Sequence, residues 1–185
     1  MKWFWIALAA LTSSCQQPGA GTLAQRPLYN FDSMLAAQGT QPRYVTKITR
    51  VNEAVDSVVL TLNAADWQKE LAVFKKLEVV NRSAYRDQYV MREYDDPRSN
   101  LTVREYQAPH APVGVLRLYF LDQPQRIQKI EAIHRETGFF FSAERQFRLQ
   151  FESPGAARLS GFGQQGGQKV FWGDTTLFDI QVRMQ

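Results

Sequence analysis

The chain of 185 residues carries one cysteine, two histidines and no uninterrupted apolar run long enough to cross a bilayer as a helix. A single cysteine excludes an internal disulfide, so a fold of this size has to rest on its apolar core. His110 and His134 have no second His or Cys at ligand spacing, which excludes the common zinc motifs. His110 lies in the loop Ala108-Pro109-His110-Ala111-Pro112 and His134 in an H-x-E with Glu136; neither is assigned a catalytic or metal role. No G-x-S-x-G is present, so the nucleophile elbow of the α/β-hydrolases is excluded. An excess of one charge is missing too: 22 Lys and Arg face 18 Asp and Glu, scattered along the chain without a basic patch. That balance does not argue for nucleic acid as a partner.

Two motif matches fail on context. Gly161, Gly163 and Gly166 form a G-x-G-x-x-G, but a dinucleotide fingerprint needs a helix opening at it and an acidic residue about 20 positions further on. Here Gln168 to Trp172 reads as strand, and the glycines read as a turn between strands. Lys169 makes no P-loop, because the spacing fails and no Ser or Thr follows it. Asp95-Asp96-Pro97 has ordinary turn residues and lacks the further acidic ligands of a calcium loop. No cofactor is expected.

Apolar material is plentiful, with 44% hydrophobic residues including 12 Phe, 7 Tyr and 4 Trp, enough for a sizeable core. The chain opens on Met1-Lys2, then Trp3-Phe4-Trp5-Ile6-Ala7-Leu8-Ala9-Ala10-Leu11, then the small residues Thr12-Ser13-Ser14 and Cys15. One basic residue, a short apolar run and small residues make a signal-peptide pattern. Residues 1–15 resemble a bacterial lipoprotein signal, in which a Leu-small-small-Cys box is cut before the cysteine and that cysteine is diacylated. Leu11 stands four positions before Cys15, with Thr12 where the family has its Leu. The resemblance implies a signal peptide over 1–14, lipidation of Cys15, and attachment to a membrane of the cell envelope by the acyl chains. Gln16 and Gln17 follow where enteric lipoproteins kept at the inner membrane carry Asp, which points to the outer membrane. The thiol, once acylated, is no nucleophile.

Residues 16–26 (QQPGAGTLAQR) read as a flexible tether, so 15–26 links the anchor to a folded part over 27–185. Asn30 to Ala37 predicts a short helix stopped by Gly39. Tyr44–Val51 and Val58–Leu62 predict a hairpin. Asn63, with Asp66 three residues on, predicts the N-cap of the main helix over 64–77, where Trp67, Leu71, Phe74 and Leu77 form one stripe. Strands are predicted at 89–94, 101–107, 113–121, 126–135, 139–142, 147–151 and 178–184. Their short connections imply antiparallel neighbours. The expected fold is therefore α+β: an antiparallel meander, curved into a half-barrel, with one helix on it. The pattern Asp66-Trp67-x-x-Glu70-Leu71-x-x-Phe74 before a strand-rich half also resembles uncharacterised Gram-negative envelope lipoproteins, and that resemblance implies no activity.

Phe139-Phe140-Phe141 is the most unusual apolar run of the folded part. Read as a strand, it puts rings on both faces, so Phe139 and Phe141, with Trp67, Leu71 and Phe74, either build the core or line an apolar ligand cavity. The function expected is that of a membrane-anchored envelope lipoprotein that binds a protein partner or supports an assembly without catalysis. A carrier or receptor for a hydrophobic ligand such as lipid is the alternative, with an apolar void between sheet and helix as its mark. An enzyme with dispersed catalytic residues stays open.

Overall fold

A computed structural model describes residues 27–39, 43–123, 126–153 and 158–185. The leader, Cys15 and the tether through Arg26 lie outside the described residues. Nine strands follow one another: β1 (Arg43–Val51), β2 (Ala54–Leu62), β3 (Val90–Asp96), β4 (Leu101–Gln107), β5 (Val113–Phe120), β6 (Ile127–Thr137), β7 (Phe141–Phe151), β8 (Leu159–Val170) and β9 (Thr175–Met184). They form one antiparallel sheet in the order β2-β1-β9-β8-β7-β6-β5-β4-β3. From β3 to β9 each strand pairs with the next, as the short connections predict. The β1–β2 hairpin then adds to the last strand, with Val45 opposite Met184 and Val51 opposite Phe178. Asn52, at φ 51°, turns that hairpin, and its side-chain oxygen accepts the Leu177 N–H at 2.9 Å. β2 and β3 are the two edges, so the sheet is not closed into a barrel.

The α+β expectation is corrected to a mainly β molecule, because the expected main helix is shorter and the sheet larger than the sequence pattern indicates. Asn63 does cap α2 (Ala64–Leu71), its side chain accepting the Asp66 N–H at 3.0 Å. The helix does not run on to 77. It tightens into a 3₁₀ segment, Ala72–Asn81, followed by a single turn of helix at Ser83–Arg86 (α3). The physical reason is in the spacing: after Leu71 the buried residues Phe74, Leu77 and Val80 come every third position, the period of a 3₁₀ helix. The first helix, α1 (Phe31–Ala36), is capped by Asn30 and followed by Gly39 at φ 72°.

Direct cross-strand partners share a face, and one row shows how the core is laid down. Val182, Phe162, Leu149, Ile130 and Leu118 stand opposite one another across β9, β8, β7, β6 and β5, all buried. Onto this row and its neighbours pack Trp67, Leu71, Phe74 and Leu77 from the helical layer, with Phe31 and Leu35 from α1. The Trp67 and Phe162 rings are 5.6 Å apart, and Phe74 meets Phe147 edge-on at 5.5 Å. Burying each such side chain contributes about 1.5–3 kcal/mol. The other face is a lattice of charges, in which Arg117 pairs with Glu105 and Arg148 with Glu131 across strands and Lys129 with Glu131 along β6, around a small cluster of Leu101, Val103 and Tyr119.

Two further expectations are corrected. Gly161, Gly163 and Gly166 lie inside β8, not in a turn, with Gly166 opposite both Arg145 and Phe178. A Cβ at Gly166 would lie 2.0 Å from the Glu144 carbonyl oxygen, so the strands approach there too closely for any side chain. The strands expected at 139–142 and 147–151 are one strand, β7, and it starts only at Phe141.

Candidate functional site

The loss of Phe139 and Phe140 from β7 creates the most exposed apolar surface among the described residues. β6 ends at Thr137, whose partner is Ser142, and the Gly138 N–H donates to the Phe141 carbonyl at 2.8 Å. The chain therefore turns through Phe139 and Phe140, which have no cross-strand partner to cover them. β8 and β9 are joined by a second turn, where the Gly173 N–H donates to the Val170 carbonyl at 3.2 Å and leaves Phe171 and Trp172 outside. Because β7 and β8 are neighbours, the two turns stand side by side. The Phe171 N–H donates to the Phe140 carbonyl at 2.9 Å and ties them together.

The four rings form a chain. Phe139 and Phe140 are edge-to-face at 4.7 Å, Phe140 and Trp172 are stacked at 5.5 Å, and Trp172 and Phe171 are edge-to-face at 5.1 Å. Their exposures are 90% for Phe139, 54% for Phe140, 72% for Phe171 and 78% for Trp172. Single exposed apolar residues are ordinary, whereas four adjoining bare rings make one contiguous apolar patch. Phe141 and Val170, directly opposite each other where β7 meets β8, are partly exposed at its base.

The residues singled out from the sequence separate into two places. Trp67, Leu71 and Phe74 are buried in the helix–sheet core. Phe139 is at the tip and Phe141 beside it, 39% exposed, so the run of three phenylalanines is mostly surface. Phe140 stands out in the sequence only as part of its run, and nothing there singles out Phe171 and Trp172. The local cue is a glycine at one end of each aromatic pair, Gly138 before Phe139-Phe140 and Gly173 after Phe171-Trp172, since glycine punctuates turns. Cys15 lies outside the described residues.

The space between sheet and helices is filled by Trp67, Phe74, Phe147 and Phe162. Beside it a recess of about 240 Å³ opens along α2, rimmed by the Lys47–Glu70 ion pair at 2.6 Å and floored by Phe74, Phe162 and Ile180. It is a notch at the edge of the core.

Polar groups collect on the helix face around Glu136. Lys76 donates to it at 2.6 Å, Arg145 approaches it at 3.8 Å and His134 Nδ1 lies 4.0 Å away. The Lys76 hydrogen bond holds the Glu136 carboxyl below its usual range. Burial pushes the His134 imidazole down, against the pull of Glu136, so the neutral ring is favoured. His110 is exposed in its loop. Asp96, whose carboxyl is held low by Ser99 and the Arg98 N–H, closes its own turn. Among the described residues no three His, Cys, Asp or Glu side chains gather as a metal site would require. No helix among them is long and apolar enough to cross a membrane. The chain matches no protein-family model, no curated protein and no solved structure.

Proposed function

We propose that this chain is a bacterial envelope lipoprotein, cut before Cys15 and held at the outer membrane by acyl chains on that residue. Its folded part is a docking module, not a catalyst, and works through the tip of Phe139, Phe140, Phe171 and Trp172. The observation that carries the reading is the exposure of these four adjoining rings on two tied turns. The nine-stranded sheet, in this reading a half-barrel scaffold, holds the turns fixed, so little ordering remains to oppose binding. Covering four rings is worth several kcal/mol at about 1.5–3 kcal/mol for a fully buried ring, sufficient for a specific contact once the anchor has brought the partners together.

The carrier alternative needs an apolar chamber between sheet and helices, and the rings that fill this space leave it without support. Two experiments test the proposal. A palmitate analogue fed to cells should label the wild-type protein and not Cys15→Ala. A photoreactive phenylalanine at Phe171 should form adducts in cells, while the same probe at the exposed Tyr44 should not; no adduct from Phe171 contradicts docking through the tip.

A further inference from the structure

We infer that the occupant of the aromatic tip is the interfacial layer of a lipid bilayer, so that the folded part makes a second membrane contact beside the acylated Cys15. The inference deepens the docking reading and rests on it.

Three observations select a bilayer. The first is chemical. The tip is three phenylalanines, which bury in an apolar medium, and a tryptophan, whose indole N–H is the polar handle of a residue that settles at a membrane interface. The second is electrostatic. Lys169 and Asp174 flank the second turn with opposite charges, and Arg135 and Glu144, near the first, pair at 2.8 Å. Among the described residues no ring of charge of one sign surrounds the tip to select a charged partner, so apolar contact drives its binding.

The third is where the chain enters the fold. The Leu28 N–H donates to Asn81 Oδ1 at 2.8 Å, and Asn81 Nδ2 donates to the Tyr29 carbonyl at 2.7 Å. Arg82, the next residue, lines one recess with Thr137 and Phe141. Phe141 in turn lies against Gly138, its Cε1 2.6 Å from where a Cβ on that glycine would sit. The tether therefore joins the fold at the end of the sheet that bears the aromatic turns. Eleven residues lie between Cys15 and Pro27, and whatever their conformation the twelve steps from Cα to Cα reach at most about 40 Å. The anchor thus keeps the tip within reach of the bilayer, at an effective concentration that makes even a weak apolar contact persist.

The test uses the full chain, produced with its lipidation and reconstituted into phosphatidylcholine vesicles brominated at a shallow position of the acyl chains. Trp67 is buried, and Trp3 and Trp5 precede Cys15, so subtracting the emission of Trp172→Phe from that of the wild type isolates Trp172 whether or not the leader has been removed. The expected result is loss of Trp172 emission to the bromines and a blue shift of what remains. Both should be unchanged between low and high salt and on adding anionic lipid, because screening does not weaken an apolar contact. Replacing Phe139, Phe140 and Phe171 by Ser should restore Trp172 emission while the chain stays on the vesicle.

Repeating the measurement with Cys15→Ser separates the two claims: quenching that survives there supports the tip contact even if the cysteine carries no lipid. Trp172 left bright and open to aqueous iodide on the vesicle overturns the inference. If the probe at Phe171 then gives a discrete protein adduct in cells, the docking reading stands with a protein as occupant. With neither quenching nor adduct, both fail.

Discussion

Trp67 and Trp172 show how one side chain is used in two ways. Trp67 is wholly buried against Phe162, and Arg43 lies over its indole at 5.7 Å. Trp67→Ala should cost about 3–5 kcal/mol, the usual range for removing a buried large aromatic, and a urea unfolding curve reads it directly. His134 makes a different prediction. It is 6% exposed, and its Nδ1 makes no hydrogen bond among the described residues. Lys76 and Arg145 lower its pKa further beyond the effect of burial, and Glu136 opposes them. Its folded pKa lies below the ordinary 6.5, so between the two values the unfolded chain binds the extra proton. Stability contributed by the neutral ring is therefore full above 6.5 and falls as pH drops toward the folded value. Urea midpoints measured from about pH 8 to about pH 5 should show this fall in the wild type and a flatter profile in His134→Gln.

At the scale of elements, sequence patterns were readable where the signal was local. Asn63 and Asp66 mark the start of α2 because the cap is a contact three residues long. Asn63→Ala should cost about 1 kcal/mol, checked by denaturant unfolding. The end of α2 was less readable, since Phe74 and Leu77 fit a helical stripe as well as a 3₁₀ one, and only the continuation to Val80 separates them. The glycines of β8 misled for a similar reason. Gly is common in turns, and what keeps it in this strand is the close approach of β7, a contact no local pattern contains. Gly166→Ala forces that pair of strands apart and should destabilise the protein by about 1–3 kcal/mol, with faster hydrogen exchange along β7 and β8.

For the molecule as a whole, the meander from β3 to β9 was legible because short turns leave antiparallel pairing as the only choice. The pairing of β1 with β9 was not, since it joins residues some 130 positions apart, such as Arg50 and Asp179, by contacts that no spacing announces. The aromatic tip was half legible. Phe139 to Phe141 stood out, but three apolar residues in a row satisfy a buried strand and a bare turn equally, and Phe171 and Trp172 meet them only through the β7–β8 pairing. The same pairing holds the four exposed rings in place: the turns are fixed by backbone hydrogen bonds, and the buried core of their strands lies elsewhere.

In the proposed reading the rings serve an occupant outside the chain and not the fold. The direct test is the unfolding free energy of a variant with Phe139, Phe140, Phe171 and Trp172 all replaced by Ser, set beside that of Trp67→Ala. The expected loss is about 1.5 kcal/mol, three exposed ring pairs at the low end of about 0.5 kcal/mol each, below the loss for Trp67 alone. A loss equal to or larger than that of Trp67→Ala would show that the tip holds the fold together, and would contradict the account.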